Sequence, residues 1–136
     1  MICDPVPEIT EVFWIKKSIT GTLPATIGAI TSLEVLNLEG NKLGGSIPAN
    51  IGLLTNLALL NLHNNLFTKS LPASVSTLST LQVLQVGGTN TFTGTLPASL
   101  CSLPLTLVEM ASQSSLCYAA CLTGVEEQIG FGTACP

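Results

Sequence analysis

Cysteine is the residue type in this chain best equipped for chemistry, and its placement is uneven. Cys3 stands near the start, while Cys101, Cys117, Cys121 and Cys135 cluster at the end with C-x15-C-x3-C-x13-C spacing. A tetrahedral zinc ion is typically bitten by C-x2-C pairs, and this run has none. Four cysteines gathered at one end read instead as disulfides and an oxidising compartment. Three connectivities are open, among them Cys101–Cys121 with Cys117–Cys135. Each closed loop would stabilise the chain by ~2–4 kcal/mol in the chain-entropy picture. His63 is the only histidine. A catalytic imidazole needs a nucleophile or acid arranged beside it, and no motif supplies one. No G-x-S-x-G occurs, and Asp4 is the sole aspartate. Glu126-Glu127 reads as a solvated tail rather than half of a two-carboxylate hydrolytic site. The expectation is a non-enzymatic chain with no metal and no cofactor.

The elements that must position these residues are aliphatic. Apolar residues make up 46% of the 136, but aromatics only 4% and charged residues 9%. An ordinary soluble domain carries roughly 25% charge. The cations are Lys16, Lys17, Lys42 and Lys69, with no arginine, against a formal net charge of −4. Nucleic acid is thereby excluded as a partner, because phosphate neutralisation and base reading both need basic side chains. No apolar run approaches the ~20 residues of a membrane-spanning helix. The opening MICDPVPEIT lacks the basic and apolar regions of a secretory leader. With secretory-type cysteines, that points to a mature or truncated piece, and truncation is the expectation here.

Between the cysteines the sequence repeats. ITSLEVLNLEGNKLGGSIP, from Ile30 to Pro48, returns 24 residues later as LTNLALLNLHNNLFTKSLP, from Leu54 to Pro72. LSTLQVLQVGGTNTFTGTLP, from Leu78 to Pro97, is a third version with one extra residue, expected to bulge around Asn90. Shifting the pattern back uncovers a degenerate first copy in which Ile9, Val12, Trp14, Ile19 and Leu23 take the places of Leu33, Leu36, Leu38, Leu43 and Ile47. Repeats therefore span 6–29, 30–53, 54–77 and 78–102, within a single domain. Residues 1–5 are the remnant of a cap, and 103–136 hold a last strand and a cysteine-bearing cap. Within LEVLNL, alternation sends Leu36 and Leu38 inward and Val35, Asn37 and Glu39 to the opposite face. Asn41 and Asn65 are expected to be buried, satisfying backbone groups at the bend. Lys17 replaces that asparagine in the first copy. No repeat can bury its apolar edge alone, so repeats must stack.

A Leu-x-x-Leu-x-Leu pattern with this period is a leucine-rich-repeat signature. NKLGGSIPANIGLLTNL, from Asn41 to Leu57, resembles the plant-type subclass N-x-L-x-G-x-I-P-x-x-[IL]-G-x-L-x-x-L residue for residue, and the likeness extends roughly from Cys3 to Cys121. Cys3-Asp4 followed by ITEVFWI is similar to the end of that subclass's N-terminal cap. LCYAACL resembles the C-terminal cap of protist surface repeats, with Ala119 in place of its proline. The resemblance implies an α/β fold: a right-handed solenoid of about five rungs. A parallel concave β-sheet, short helical convex turns and a short flanking second sheet complete it, the last at Gly21–Leu23, Gly45–Ile47, Ser70–Leu71 and Gly94–Leu96. It further implies a protein- or peptide-recognition module of a secreted or cell-surface protein.

Repeat proteins usually bind on the concave side. Its expected contact residues form three columns. The first is Glu11, Val35, Leu59, Val83 and Leu107; the second Phe13, Asn37, Asn61, Gln85 and Glu109; the third begins Ile15, Glu39, His63. An aliphatic stripe beside an amide stripe suits an extended peptide or a partner's loop, although an apolar column can equally serve packing within the sheet. Two other readings stay open. The open apolar rung near Ile9, Val12 and Trp14 could pair with another chain in a self-assembling protein. The Thr and Ser residues of the flank, such as Thr20, Thr22, Ser46, Thr68, Ser70, Thr93 and Thr95, could form a regular array that binds ice.

Overall fold

The structure, a computed structural model, describes residues 8–110 and the backbone of residues 126–129. Each rung is a strand, a second strand and a 3-10 turn. Rung one has β1 (Glu11–Phe13), β2 (Thr20–Thr22) and η1 (Ala25–Ala29); rung two has β3 (Val35–Asn37), β4 (Lys42–Gly45) and η2 (Ala49–Leu53). Rung three has β5 (Leu59–Asn61), β6 (Leu66–Lys69) and η3 (Ala73–Thr77). Rung four has β7 (Val83–Gln85), β8 (Thr91–Phe92) and η4 (Ala98–Ser102), followed by β9 (Leu107–Met110) and β10 (Glu126–Ile129). Pro24, Pro48, Pro72 and Pro97 each immediately precede a turn. A proline there ends the extended stretch without wasting a donor.

The concave sheet is parallel throughout, in the order β1-β3-β5-β7-β9-β10. Its register advances by one whole repeat per rung: Leu36 pairs with Leu60, and Leu60 with Leu84. The second sheet runs β2-β4-β6-β8. Here the strands begin earlier than expected, at Lys42 and Leu66 rather than at Gly45 and Ser70. Two causes act together. The buried asparagines bond backbone N–H groups just after the bend, so extended pairing starts at once. The chain then turns to positive φ at Gly45 (73°) and Lys69 (64°), the last residues of β4 and β6. The register is also staggered, with Thr22 beside Gly44 and Gly44 beside Leu66. Thr22 therefore faces a glycine, whereas Thr68 on β6 faces Thr91 on β8.

Leucines at the repeat positions fill the interior: Leu33, Leu36, Leu57, Leu60, Leu81 and Leu84 have no exposed surface. Phe67 and Phe92, buried on adjacent rungs, stack with ring centroids 6.3 Å apart and planes 8° from parallel. The asparagine expectation holds, and the pattern extends to Asn90. Asn41 Oδ1 accepts from the Lys17 and Ile19 N–H groups, Asn65 Oδ1 from Leu43 N–H and Asn90 Oδ1 from Phe67 N–H. Each asparagine thus serves the rung before it, which is why Lys17 can replace the one in rung one. The extra residue of rung four is absorbed between Val86 and Asn90. Asn90 Nδ2 reaches Val86 O four residues back, where Asn65 reaches Leu62 O three back.

One expectation changes. Glu126-Glu127 is not a detached tail: β10 adds to the sheet beside β9, with Glu126 opposite Leu107 and Ile129 opposite Met110. Backbone pairing carries that strand, and backbone pairing needs no leucine pattern. Rung one is open, as expected. Ile9 and Trp14 occupy core positions but remain 54% and 55% exposed, since rung two covers them from one side only. Cys101 lies exposed on η4 and is not free. Its pairing with Cys117, Cys121 or Cys135 falls outside the described residues, as does Cys3.

Candidate functional site on the concave sheet

The strand alternation that buries Leu36, Leu60 and Leu84 forces their neighbours onto the concave surface. Glu11, Val35, Leu59, Val83 and Leu107 are register partners on five consecutive strands. The four aliphatic members are half-buried, so each shows an edge to solvent, and Glu11 is exposed. Phe13, Asn37, Asn61, Gln85 and Glu109 form the second column in the same registers. Phe13 is 53% exposed, whereas Asn61 is only 4% exposed. Ile15 is exposed beyond the end of β1, and Glu39 and His63 are half-buried beyond β3 and β5.

The polar column is tied together rather than loose. Asn37 Oδ1 accepts from Glu39 N–H at 3.1 Å, and Asn61 Oδ1 from His63 N–H at 2.9 Å. Asn61 Nδ2 donates to Glu39 Oε2 at 3.4 Å, and Gln85 Nε2 to Glu109 Oε2 at 2.8 Å. His63 Nδ1 lies 2.8 Å from Glu109 Oε1, two strands away. No other described polar atom partners that nitrogen. The imidazole faces the Glu109 carboxylate. Among the described residues, no group of three His, Cys, Asp or Glu side chains could hold a metal ion. The arrangement suits contact: a hydrophobic stripe with an acidic, hydrogen-bonding border.

Asn61 was expected to offer its amide outward, but the amide is committed within the sheet. The His63–Glu109 pairing was not legible in sequence, since the two residues are far apart in the chain and in different columns. The Asn-x-Glu and Asn-x-His spacings did carry a signal for the bonds between Asn37 and Glu39 and between Asn61 and His63. An asparagine at a strand end commonly bonds the N–H two residues on.

Comparison with known proteins supports the fold. The Leucine Rich Repeat family model matches residues 32–54 and 56–78. The repeat architecture aligns with a chain of the BIR3–SERK2 complex from Arabidopsis thaliana at TM-score 0.82 and 24% identity, covering 99% of this chain and 74% of that one. The ectodomain of the receptor kinase SOBIR1, also from Arabidopsis thaliana, gives TM-score 0.72 and 28% identity over 82% of this chain and 59% of its own. The fold is that of a leucine-rich-repeat solenoid. The Arabidopsis receptor kinase HAESA ectodomain, solved with an IDA peptide hormone, aligns at TM-score 0.66 and 28% identity, covering 71% of this chain and 16% of that one. A search of curated proteins found no match. The solenoid thus spans from about three quarters to under a fifth of these relatives. No described helix is long and apolar enough to cross a membrane.

Proposed function

We propose that this solenoid binds an extended peptide or a partner's loop across its concave sheet, as part of a secreted or cell-surface protein. The observation that carries the reading is the stripe Val35, Leu59, Val83 and Leu107. Four half-buried aliphatic side chains stand in register on adjacent strands, bordered by Glu39, His63, Gln85 and Glu109. Such a strip gives a ligand apolar burial, while the border fixes its register through hydrogen bonds. The peptide hormone on the HAESA ectodomain supports the same class of ligand. The late cysteines support an oxidising compartment, with Cys101, Cys117, Cys121 and Cys135 paired as disulfides.

Selection of binders from a displayed random-peptide library tests the reading. Val83→Glu places an unpaired charge in the stripe and should weaken the selected peptides by about tenfold or more, at least ~1.4 kcal/mol. Leu53→Glu, on the exposed convex side, should leave them unchanged. Peptides indifferent to Val83→Glu but lost with Leu53→Glu would move the site to the other face.

A further inference from the structure

We propose that the ligand of the concave face carries an arginine whose guanidinium seats above rung three, between the carboxylates of Glu39 and Glu109, an inference that rests on the concave reading above. The two acids come from opposite directions. Glu39 follows β3, and Glu109 lies on β9, with β5 and β7 between them. Their side chains nevertheless end on the same rung. Glu39 Oε2 accepts from Asn61 Nδ2 at 3.4 Å, and Glu109 Oε1 lies 2.8 Å from His63 Nδ1. Asn61 and His63 are themselves joined, His63 N–H donating to Asn61 Oδ1. Two half-buried acids are thus held on neighbouring side chains of rung three.

Charge does not balance there. Among the described residues on this part of the sheet, His63 can supply one positive charge against two negative ones. The spot therefore keeps a negative excess whether the imidazole is protonated or not. Lys16 lays its side chain over Gly40, but among the described residues no ion pair joins it to Glu39. Hydrogen-bonding capacity is left over as well. The bond from Asn61 to Glu39 is long, and Glu109 keeps lone pairs beyond those facing His63 and Gln85.

The stripe narrows the choice of cation. Leu59 precedes Asn61 by two residues on β5, a rise of ~6.6 Å. A ligand packed on the stripe meets the carboxylates only through a long side chain with an apolar stem and a charged head. Lysine and arginine both have that build. Arginine adds a rigid planar fork of donors, suited to bonding two carboxylates at once.

Peptides selected from the displayed random library against the full chain are the probe. They should be enriched in arginine. Replacing that arginine by citrulline, which keeps its shape but loses its charge, should weaken binding about tenfold. Glu39→Gln and Glu109→Gln should each weaken the arginine peptide several-fold and leave the citrulline peptide nearly unchanged. Glu39→Lys should prefer the peptide whose arginine is replaced by glutamate, a reversal that a merely structural role for Glu39 would not produce. Val83→Glu would itself add charge here, so the neutral Val83→Asn reports the stripe, and it should weaken both peptides alike. Circular dichroism matching the parent excludes misfolding as the cause. Selected peptides that lose affinity with Val83→Asn but show no arginine enrichment overturn the proposal and leave the concave reading standing. So do peptides that bind Glu39→Gln and Glu109→Gln as tightly as the parent while still losing affinity with Val83→Asn. Peptides indifferent to all three variants overturn both.

Discussion

Asn65 has no exposed surface, yet every polar atom of its amide is engaged. Oδ1 accepts from Leu43 N–H at 3.1 Å, and Nδ2 donates to Leu38 O at 2.9 Å and Leu62 O at 3.1 Å. Both carbonyls are shared: Leu38 O also takes Asn41 Nδ2, and Leu62 O also takes Asn90 Nδ2. The amides therefore form a ladder along the solenoid, and removing one leaves those oxygens a partner each. What is orphaned is Leu43 N–H. Asn65→Ala should accordingly cost about 2–3 kcal/mol in a denaturant titration, most of it from one buried unsatisfied donor and the cavity beside it. His63 offers the contrast. Its contact with Glu109 lies at the surface, with side-chain exposures of 22% and 18%. His63→Ala should lower stability by less than about 1 kcal/mol, and its larger effect should appear in ligand affinity.

Strands of two to four residues have little stability of their own, so each element depends on the rungs beside it. Phe67 on β6 and Phe92 on β8 show how that dependence is built. They stack within the interior where rung two has Leu43, and so bind the second sheet to the core. Phe67→Ala should cost about 3–5 kcal/mol by thermal or chemical unfolding. Phe67→Leu, which installs the residue of the neighbouring rung, should cost much less. Glycine matters at one close approach in particular. A Cβ on Gly52 would sit 2.5 Å from Ser74 O of the next rung. Gly52→Ala must therefore push η2 away from η3, and a loss of about 1–3 kcal/mol is expected.

The whole molecule is a one-dimensional stack, and its stability is uneven along that axis. Interior rungs have a neighbour on both sides. Rung one has rung two on one side, with Ile9 and Trp14 more than half exposed. Trp14 fluorescence should report fraying at lower denaturant than far-ultraviolet circular dichroism does. Coincident transitions would show that rung one unfolds together with the rest.

Much of this was legible in the sequence, for a simple reason. A solenoid repeats one local solution, so the spacing of Leu36 and Leu38, of Asn41 and Asn65, and of each Pro before its turn writes the rung into the chain. The sequence by itself determined the rungs, the inward and outward faces, and the columns that stand in register on the concave sheet. Where the repeat lapses, it gave no guidance. Glu126–Ile129 joins the sheet through backbone pairing that no side-chain pattern announces. The stagger of the second sheet follows from how adjacent rungs pair. The His63–Glu109 contact and the inward commitment of Asn61 depend on how rungs meet across space. Those were decided only by the tertiary structure, because each is a relation between residues that the repeat brings together without specifying.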